Sequence, residues 1–205
     1  MTVSDKPSST NSPEASPGRL FVVAGPSGVG KDTLIQELMG RWPFYLSISA
    51  TTRPPRSGEV DGRDYIFISD DQFTEWAAEN RFLEWNQHFE SRYGTPLAAV
   101  EEQLAAGVDV LIEIDVDGAR QVRERAPDAI SIFIAPPSLD ELEERLSRRG
   151  DTSDIEARLQ RARREMDLAD EFDHRVVNDV LHDAVARLLS AVAHPEGSQD
   201  DHTAD

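Results

Sequence analysis

The sequence predicts an α/β fold, a doubly wound parallel sheet with helices on both faces, carrying a small α/β lobe inserted at about residues 50–95. Three observations predict it. An apolar run ends in a glycine-rich loop that leads straight into a helical pattern, two later runs are apolar enough to be strands covered on both faces, and amphipathic helical patterns follow them. Leu20 to Ala24 reads as the first buried strand, and Leu34, Ile35, Leu38 and Met39 mark the helix after the loop. A second strand is expected to end near Ser49. The stretch from Thr51 to Arg63 holds Pro54, Pro55, Gly58 and Gly62 and reads as a loop entering the lobe. Tyr65–Ile68 and Phe82–Trp85 read as lobe strands around a helix from about Asp71 to Glu79. The runs Val108–Asp115 and Ala129–Ile134 return to the parallel sheet. Leu139, Leu142 and Leu146 make one helix face, and Ile155, Leu159, Ala162, Met166 and Ala169 make another. A strand at His174–Asn178 and a helix from about Leu181 to Val192 close the pattern, with no internal repeat.

The 205 residues suit one compact domain, and a hydrophobic fraction of 39% is globular. The charge is unusual: 39 acids against 21 bases give −18, and Lys6 and Lys31 are the only lysines. Residues 19–194 keep 33 of the acids and 20 of the bases, so the acidity is not confined to the tails. Such a surface argues against passive binding to nucleic acid or an anionic membrane, which need broad basic fields. It also predicts a protein suited to high salt, because screening relieves self-repulsion. Absence of cysteine excludes disulfides and thiolate metal sites and suits a reducing cytoplasm. Residues 1–18 and 195–205 read as flexible tails, the first with no apolar segment of a secretory signal. No run approaches the length of a membrane span.

Chemistry enters at Gly25-Pro26-Ser27-Gly28-Val29-Gly30-Lys31-Asp32-Thr33, a glycine, four residues, then Gly-Lys, between strand and helix. Glycines there let backbone N–H groups converge on phosphate oxygens, the helix N-terminus adds positive potential, and the lysine reaches the outer phosphates. In a chain that otherwise uses arginine, Lys31 marks a position that needs a compact ammonium. The motif ordinarily continues with Ser or Thr, a magnesium ligand. Here Asp32 follows and Thr33 comes next, so either could take that role, and Asp32 equally suits the first turn of any helix. Downstream, Arg53 and Arg56 bracket two prolines, a spacing that would place a phosphate between guanidinium forks; two loop arginines alone are more often simply solvated.

Taken with Ser49-Ala50-Thr51-Thr52-Arg53-Pro54-Pro55-Arg56-Ser57-Gly58-Glu59-Val60-Asp61-Gly62-Arg63-Asp64-Tyr65, Phe82-Leu83-Glu84-Trp85, Tyr93-Gly94-Thr95, Ile112-Glu113-Ile114-Asp115, Ile134-Ala135-Pro136-Pro137-Ser138, Arg145 to Gly150 and Val176-Val177-Asn178-Asp179, the phosphate loop makes a specific pattern. The chain resembles the guanylate kinases, P-loop enzymes that transfer a phosphoryl group from ATP to GMP, over about Arg19 to Val192. The resemblance implies a core at 19–49, 96–136 and 170–194, a GMP-binding lobe at 50–95 and a helical lid at 137–169. It implies that Arg53, Arg56, Tyr65 and Tyr93 hold the GMP phosphate and that Ser49, Glu84, Thr95 and Asp115 face the guanine. A single carboxylate such as Glu84 can accept both guanine N1–H and the 2-amino group, a donor pair adenine lacks. Arg145, Arg149 and Arg158 match lid arginines over the ATP phosphates, and with Lys31 they form the implied catalytic set. Asn178 resembles a residue near the adenine, and Mg²⁺ is implied with ATP. Arg92 replaces a common tyrosine, and the segment from Gly150 to Asp154 is shorter than the usual lid loop. The other readings are a ribose 1,5-bisphosphate kinase, suggested by Gly-Lys-Asp, and a non-catalytic scaffold domain of the guanylate-kinase-like kind, which tends to lose the phosphate loop. ATP and GMP are thus the expected partners, with oligomeric state left open.

Overall fold

The computed structural model describes residues 16–88, 90–148 and 155–195. The expected tails lie mostly outside these residues. Gly18, however, is part of the core: its N–H donates to the Leu104 carbonyl at 2.8 Å, and an added Cβ would stand 2.0 Å from the Val108 oxygen.

Nine strands and seven α-helices follow one another among the described residues. In chain order they are β1 (Leu20–Ala24), α1 (Lys31–Met39), β2 (Tyr45–Leu46), β3 (Ala50–Thr51), β4 (Ile66–Phe67), α2 (Asp70–Ala78), β5 (Phe82–His88), β6 (Ser91–Pro96), α3 (Leu97–Ala105), β7 (Val110–Glu113), α4 (Val116–Arg125), β8 (Ile130–Ala135), α5 (Leu139–Arg148), α6 (Ile155–Met166), β9 (His174–Val177) and α7 (Leu181–Ala193). The main sheet has the order β2-β7-β1-β8-β9 with every pairing parallel. Alternate residues of β1 enter opposite cores. Phe21 and Val23 pack with α1, α5, α6 and α7, while Leu20, Val22 and Ala24 pack with α3 and α4. Apolar strands covered on both faces are the expected architecture. With β7 on one side of β1 and β8 on the other, the chain reverses its winding beside β1, which opens a crevice at the carboxyl ends of those strands.

The second sheet has the order β4-β3-β6-β5 and surrounds a small core of Ala50, Phe73 and Phe82. Several expectations need revision here. The strand expected to end at Ser49 is two short ones, β2 in the main sheet and β3 in the small sheet, so residues 47–49 carry the chain between the sheets. The strand expected at Phe82–Trp85 runs on to His88 and pairs in an antiparallel hairpin with β6, an element the sequence reading did not identify. A register shift between Phe82 and Glu84 lets Phe82 face the small core and Leu83 the main one, with the Glu84 carboxylate against Thr95 and Gly118. Arg92 turns toward the small sheet's own helix, where its Nε donates to Asp70 at 3.0 Å and its guanidinium lies 4.6 Å from the Phe73 ring centroid.

Candidate active site

The glycine loop between β1 and α1 occupies the crevice. Gly25, Gly28 and Gly30 have φ of +146°, +84° and +96°, in or near the left-handed region. A Cβ at Gly25 would stand 2.2 Å from the Ile134 oxygen, and one at Gly30 would stand 2.7 Å from the Asn178 amide nitrogen. Pro26 and Val29 are buried, while Ser27 is exposed. Lys31 opens α1, and its Nζ donates to the carbonyls of Gly25 at 2.8 Å and Pro26 at 3.4 Å, so the ammonium lies across the loop. Asp32 and Thr33 are exposed in the first helical turn.

Beside the loop runs a cleft of about 350 Å³ lined by Gly28, Val29, Gly30, Thr33, Arg145, Arg148, Asn178, Asp179 and Leu181. Two of the expected ATP residues brace its wall. Asn178, buried, donates its amide to the Val29 carbonyl at 2.7 Å. Arg145 donates to the carbonyls of Val29 at 3.2 Å and Asn178 at 2.9 Å and pairs with Glu141 at 2.6 Å. Asn178 thus holds the glycine loop while lining the cleft beside it. Arg158 is half-buried on α6. Arg149 and the shortened segment at 150–154 lie outside the described residues.

Glu113 is a site residue that went unassigned. It ends β7 opposite Val23, near Lys31 and Asp32. Burial pushes its carboxyl up to about 7; the charge of Lys31 opposes that shift and Asp32 adds to it. Asp32 and Glu113 interact directly, two carboxylates of the hard-oxygen kind that suits a dication shared with phosphates, and Thr33 follows Asp32 in the first turn of α1. Among the described residues no group of three or more His, Cys, Asp or Glu could hold a metal on its own.

Across the crevice, the small sheet brings Arg53, Tyr65 and Tyr93 together. The Arg53 guanidinium lies 5.2 Å from the Tyr65 centroid, and the two tyrosine rings are 6.0 Å apart, edge to face. Sequence reading missed what holds Arg53. Glu59 takes both of its terminal nitrogens at 2.9 Å and also accepts the Arg56 backbone N–H at 2.6 Å. These bonds hold the Glu59 carboxyl down at about 2 and raise Arg53 above its ordinary value. The Arg53 guanidinium is thus anchored by Glu59 through its terminal nitrogens, with Nε left without a bond among the described residues, and Arg56 is exposed. Ser49 is half-buried where the chain enters the small sheet.

Glu84 stands between the two halves, 4% exposed, with Oε1 accepting the Thr95 N–H at 3.1 Å and hydroxyl at 2.7 Å. Burial lifts its carboxyl to about 7; the Thr95 bonds pull it back and the charge of Asp115 adds to the rise. A Cβ at Gly118 would come 2.7 Å from Glu84 Oε2 and 3.1 Å from Asp115 Oδ1, so this helical glycine makes room for both. Asp115 caps α4. Its Oδ1 accepts Gly118 N–H at 2.7 Å and the Asn86 amide at 3.0 Å, while Oδ2 accepts His88 Nε2 at 2.8 Å and Arg161 Nη2 at 2.9 Å. Against the upward push of burial, the His88 and Gly118 bonds and the Arg161 charge hold it at about 2. With four donors the acceptor sites of the Asp115 carboxylate are filled by the protein.

A lysine-tipped glycine loop thus faces, across one crevice, a buried carboxylate and an arginine flanked by two tyrosines. Comparison with known proteins agrees with this arrangement. The family model "Guanylate kinase" matches residues 17–195. The guanylate kinase of Gloeobacter violaceus is 54% identical over 188 residues, covering 88% of this chain and 92% of its own, and that of Thermobifida fusca is 50% identical over 182 residues, covering 87% and 93%. The crystal structure of guanylate kinase from Anaplasma phagocytophilum superposes with a TM-score of 0.72 at 28% identity, covering 90% of this chain and 89% of that one. Sequence and fold agree over nearly the whole described length, and the chain belongs to the guanylate kinase family.

Proposed function

We propose a division of labour between the two sides of the crevice. The chain transfers a phosphoryl group from ATP to GMP, giving ADP and GDP. On our reading the glycine loop, residues 25–33, cradles the ATP phosphates with the 350 Å³ cleft beside it taking the nucleoside. Lys31 exchanges its loop carbonyls for outer phosphate oxygens, and Arg145, Arg149 and Arg158 of the helical lid at 137–169 offset charge on the transferring group. The acceptor is already a phosphate oxyanion, so no strong base is needed. Asp32, Thr33 and Glu113 would hold Mg²⁺, which when bound supplies charge neutralisation between the phosphates.

Arg53, Arg56, Tyr65 and Tyr93 take the GMP phosphate in the lobe at 50–95, and Glu59 keeps Arg53 from collapsing into solvent. Glu84 carries the specificity. Its Oε1 is held by Thr95, and Ser49 and Thr95 complete the base pocket while Asp115 and Gly118 form its floor. A buried carboxylate that accepts N1–H and the 2-amino group would keep only its Thr95 bonds when faced with adenine, a loss of about 10⁴-fold where a site is built for a missing donor. The observation that carries this reading is the 4% exposed Glu84 across the crevice from the lysine-bearing loop. The test is ADP release measured in parallel with GMP, AMP and ribose 1,5-bisphosphate. Turnover with GMP alone is expected. Preference for the ribose bisphosphate would select the rival kinase, and no turnover with any would select the scaffold.

A further inference from the structure

The least expected feature of the site is a side chain from the lid. Arg161, on α6, is the meeting point of three parts of the molecule: its Nε donates to Glu165 Oε1 at 2.7 Å on the same helix, its Nη2 to Asp115 Oδ2 at 2.9 Å in the core, and its Nη1 lies 3.0 Å from His88 Nδ1 at the end of the lobe strand β5. Guanidinium nitrogens only donate, so His88 Nδ1 must accept and the imidazole proton must sit on Nε2, which donates to Asp115 at 2.8 Å. Every bond in the junction therefore has a fixed direction. Arg161 is also the cation between two carboxylates, Asp115 and the buried Glu165, and Asp115 in turn lies beside Gly118 with Glu84. It lies one turn beyond Arg158, on the same side of the helix.

We propose that Arg161 is a positioning residue that couples the lid helix to the guanine pocket through Asp115 and His88. The proposal rests on the reading of Glu84 as the guanine acceptor. Asp115 caps α4 and thereby sets Gly118, the floor under Glu84, while the same guanidinium fixes the rotation of α6 and the approach of Arg158 to the ATP side. Shaping the guanine pocket and seating the lid are then one event. A merely structural ion pair would give a general loss of stability with no bias toward either substrate.

The test is steady-state kinetics of wild type, Arg161→Ala, His88→Ala and the double variant, with thermal melts of each. Arg161→Ala is expected to raise KM for GMP about tenfold, the weight of one charge-assisted hydrogen bond, to lower kcat about tenfold because Arg158 loses its approach to the transferring group, and to leave KM for ATP within about twofold. The double variant should match Arg161→Ala, because both side chains act through one junction. Arg161→Lys keeps the charge without the fork and should recover less than half of the lost GMP affinity, which also covers failure of the alanine variant to fold. Multiplying effects in the double variant, an equal rise in KM for ATP, full rescue by lysine or unchanged KM for GMP would each overturn the proposal. Wild-type turnover of GMP in the same assay tests the underlying reading separately.

Discussion

Glu84 shows how one buried group serves recognition at a cost to the fold. Its carboxyl titrates near 7 in the folded chain, against about 4.5 for an exposed glutamate. Between those values the folded state holds a proton that the unfolded state has lost, so the contribution of Glu84 to stability falls as pH rises and stays unfavourable above 7. Glu84→Gln should stabilise the protein at pH 8 by about 1–3 kcal/mol in a denaturant melt while losing GMP affinity. A loss of stability would show that the carboxylate is held by more than Thr95. Lys31 lies on the transfer side, and Lys31→Ala should lower kcat about a hundredfold or more with the fold intact. Both residues were legible in the sequence, Lys31 from its glycines and Glu84 from its motif. Glu59, His88 and Arg161 were not, because their partners stand 6, 27 and 46 residues away and no periodicity encodes those contacts.

The elements were read best where burial alone decides them. β1 was expected at the residues it occupies, and α1, α5, α6, β8 and α7 fell close to expectation because their apolar stripes face a two-sided core. The small sheet was harder. β3 and β4 are two residues each, and β6, containing Arg92, Gly94 and Pro96, carries no apolar alternation, so pairing defines these strands more than composition does. α4 carries one signal that was available and went unused: a glycine three residues after an aspartate N-cap, where a close approach is the usual reason. Gly118→Ala should improve the helix by about 1 kcal/mol in propensity, yet its Cβ would crowd Glu84 and Asp115. The expected outcome is a KM for GMP raised about tenfold with KM for ATP unchanged. If GMP binding is untouched, Glu84 can move and the pocket floor is not rigid.

At the scale of the whole molecule the parallel sheet and its switch point were legible, because strands and helices alternate from the glycine loop onward. The junction that ties β5 to α4 and α6 through His88, Asp115 and Arg161 was not. The net charge of −18 was visible from composition alone, and it acts on all of these parts at once. Raising salt should increase the melting temperature by about 5 °C or more between low and molar KCl, while KM for both nucleotides rises as their phosphate contacts are screened. Activity should therefore pass through a maximum, and a melt insensitive to salt would remove the case for a high-salt protein. Recognition of guanine by an ionised Glu84 is the claim on which most else depends. It is tested most directly by the pH profile of kcat/KM for GMP in wild type and Glu84→Gln. In wild type kcat/KM should rise as pH increases through about 7, the value at which the buried carboxyl ionises, and the rise should be shallower in Glu84→Gln, where only Glu113 and the substrate phosphate still titrate in this range. An identical rise in both proteins, or a flat profile in wild type, would contradict the account.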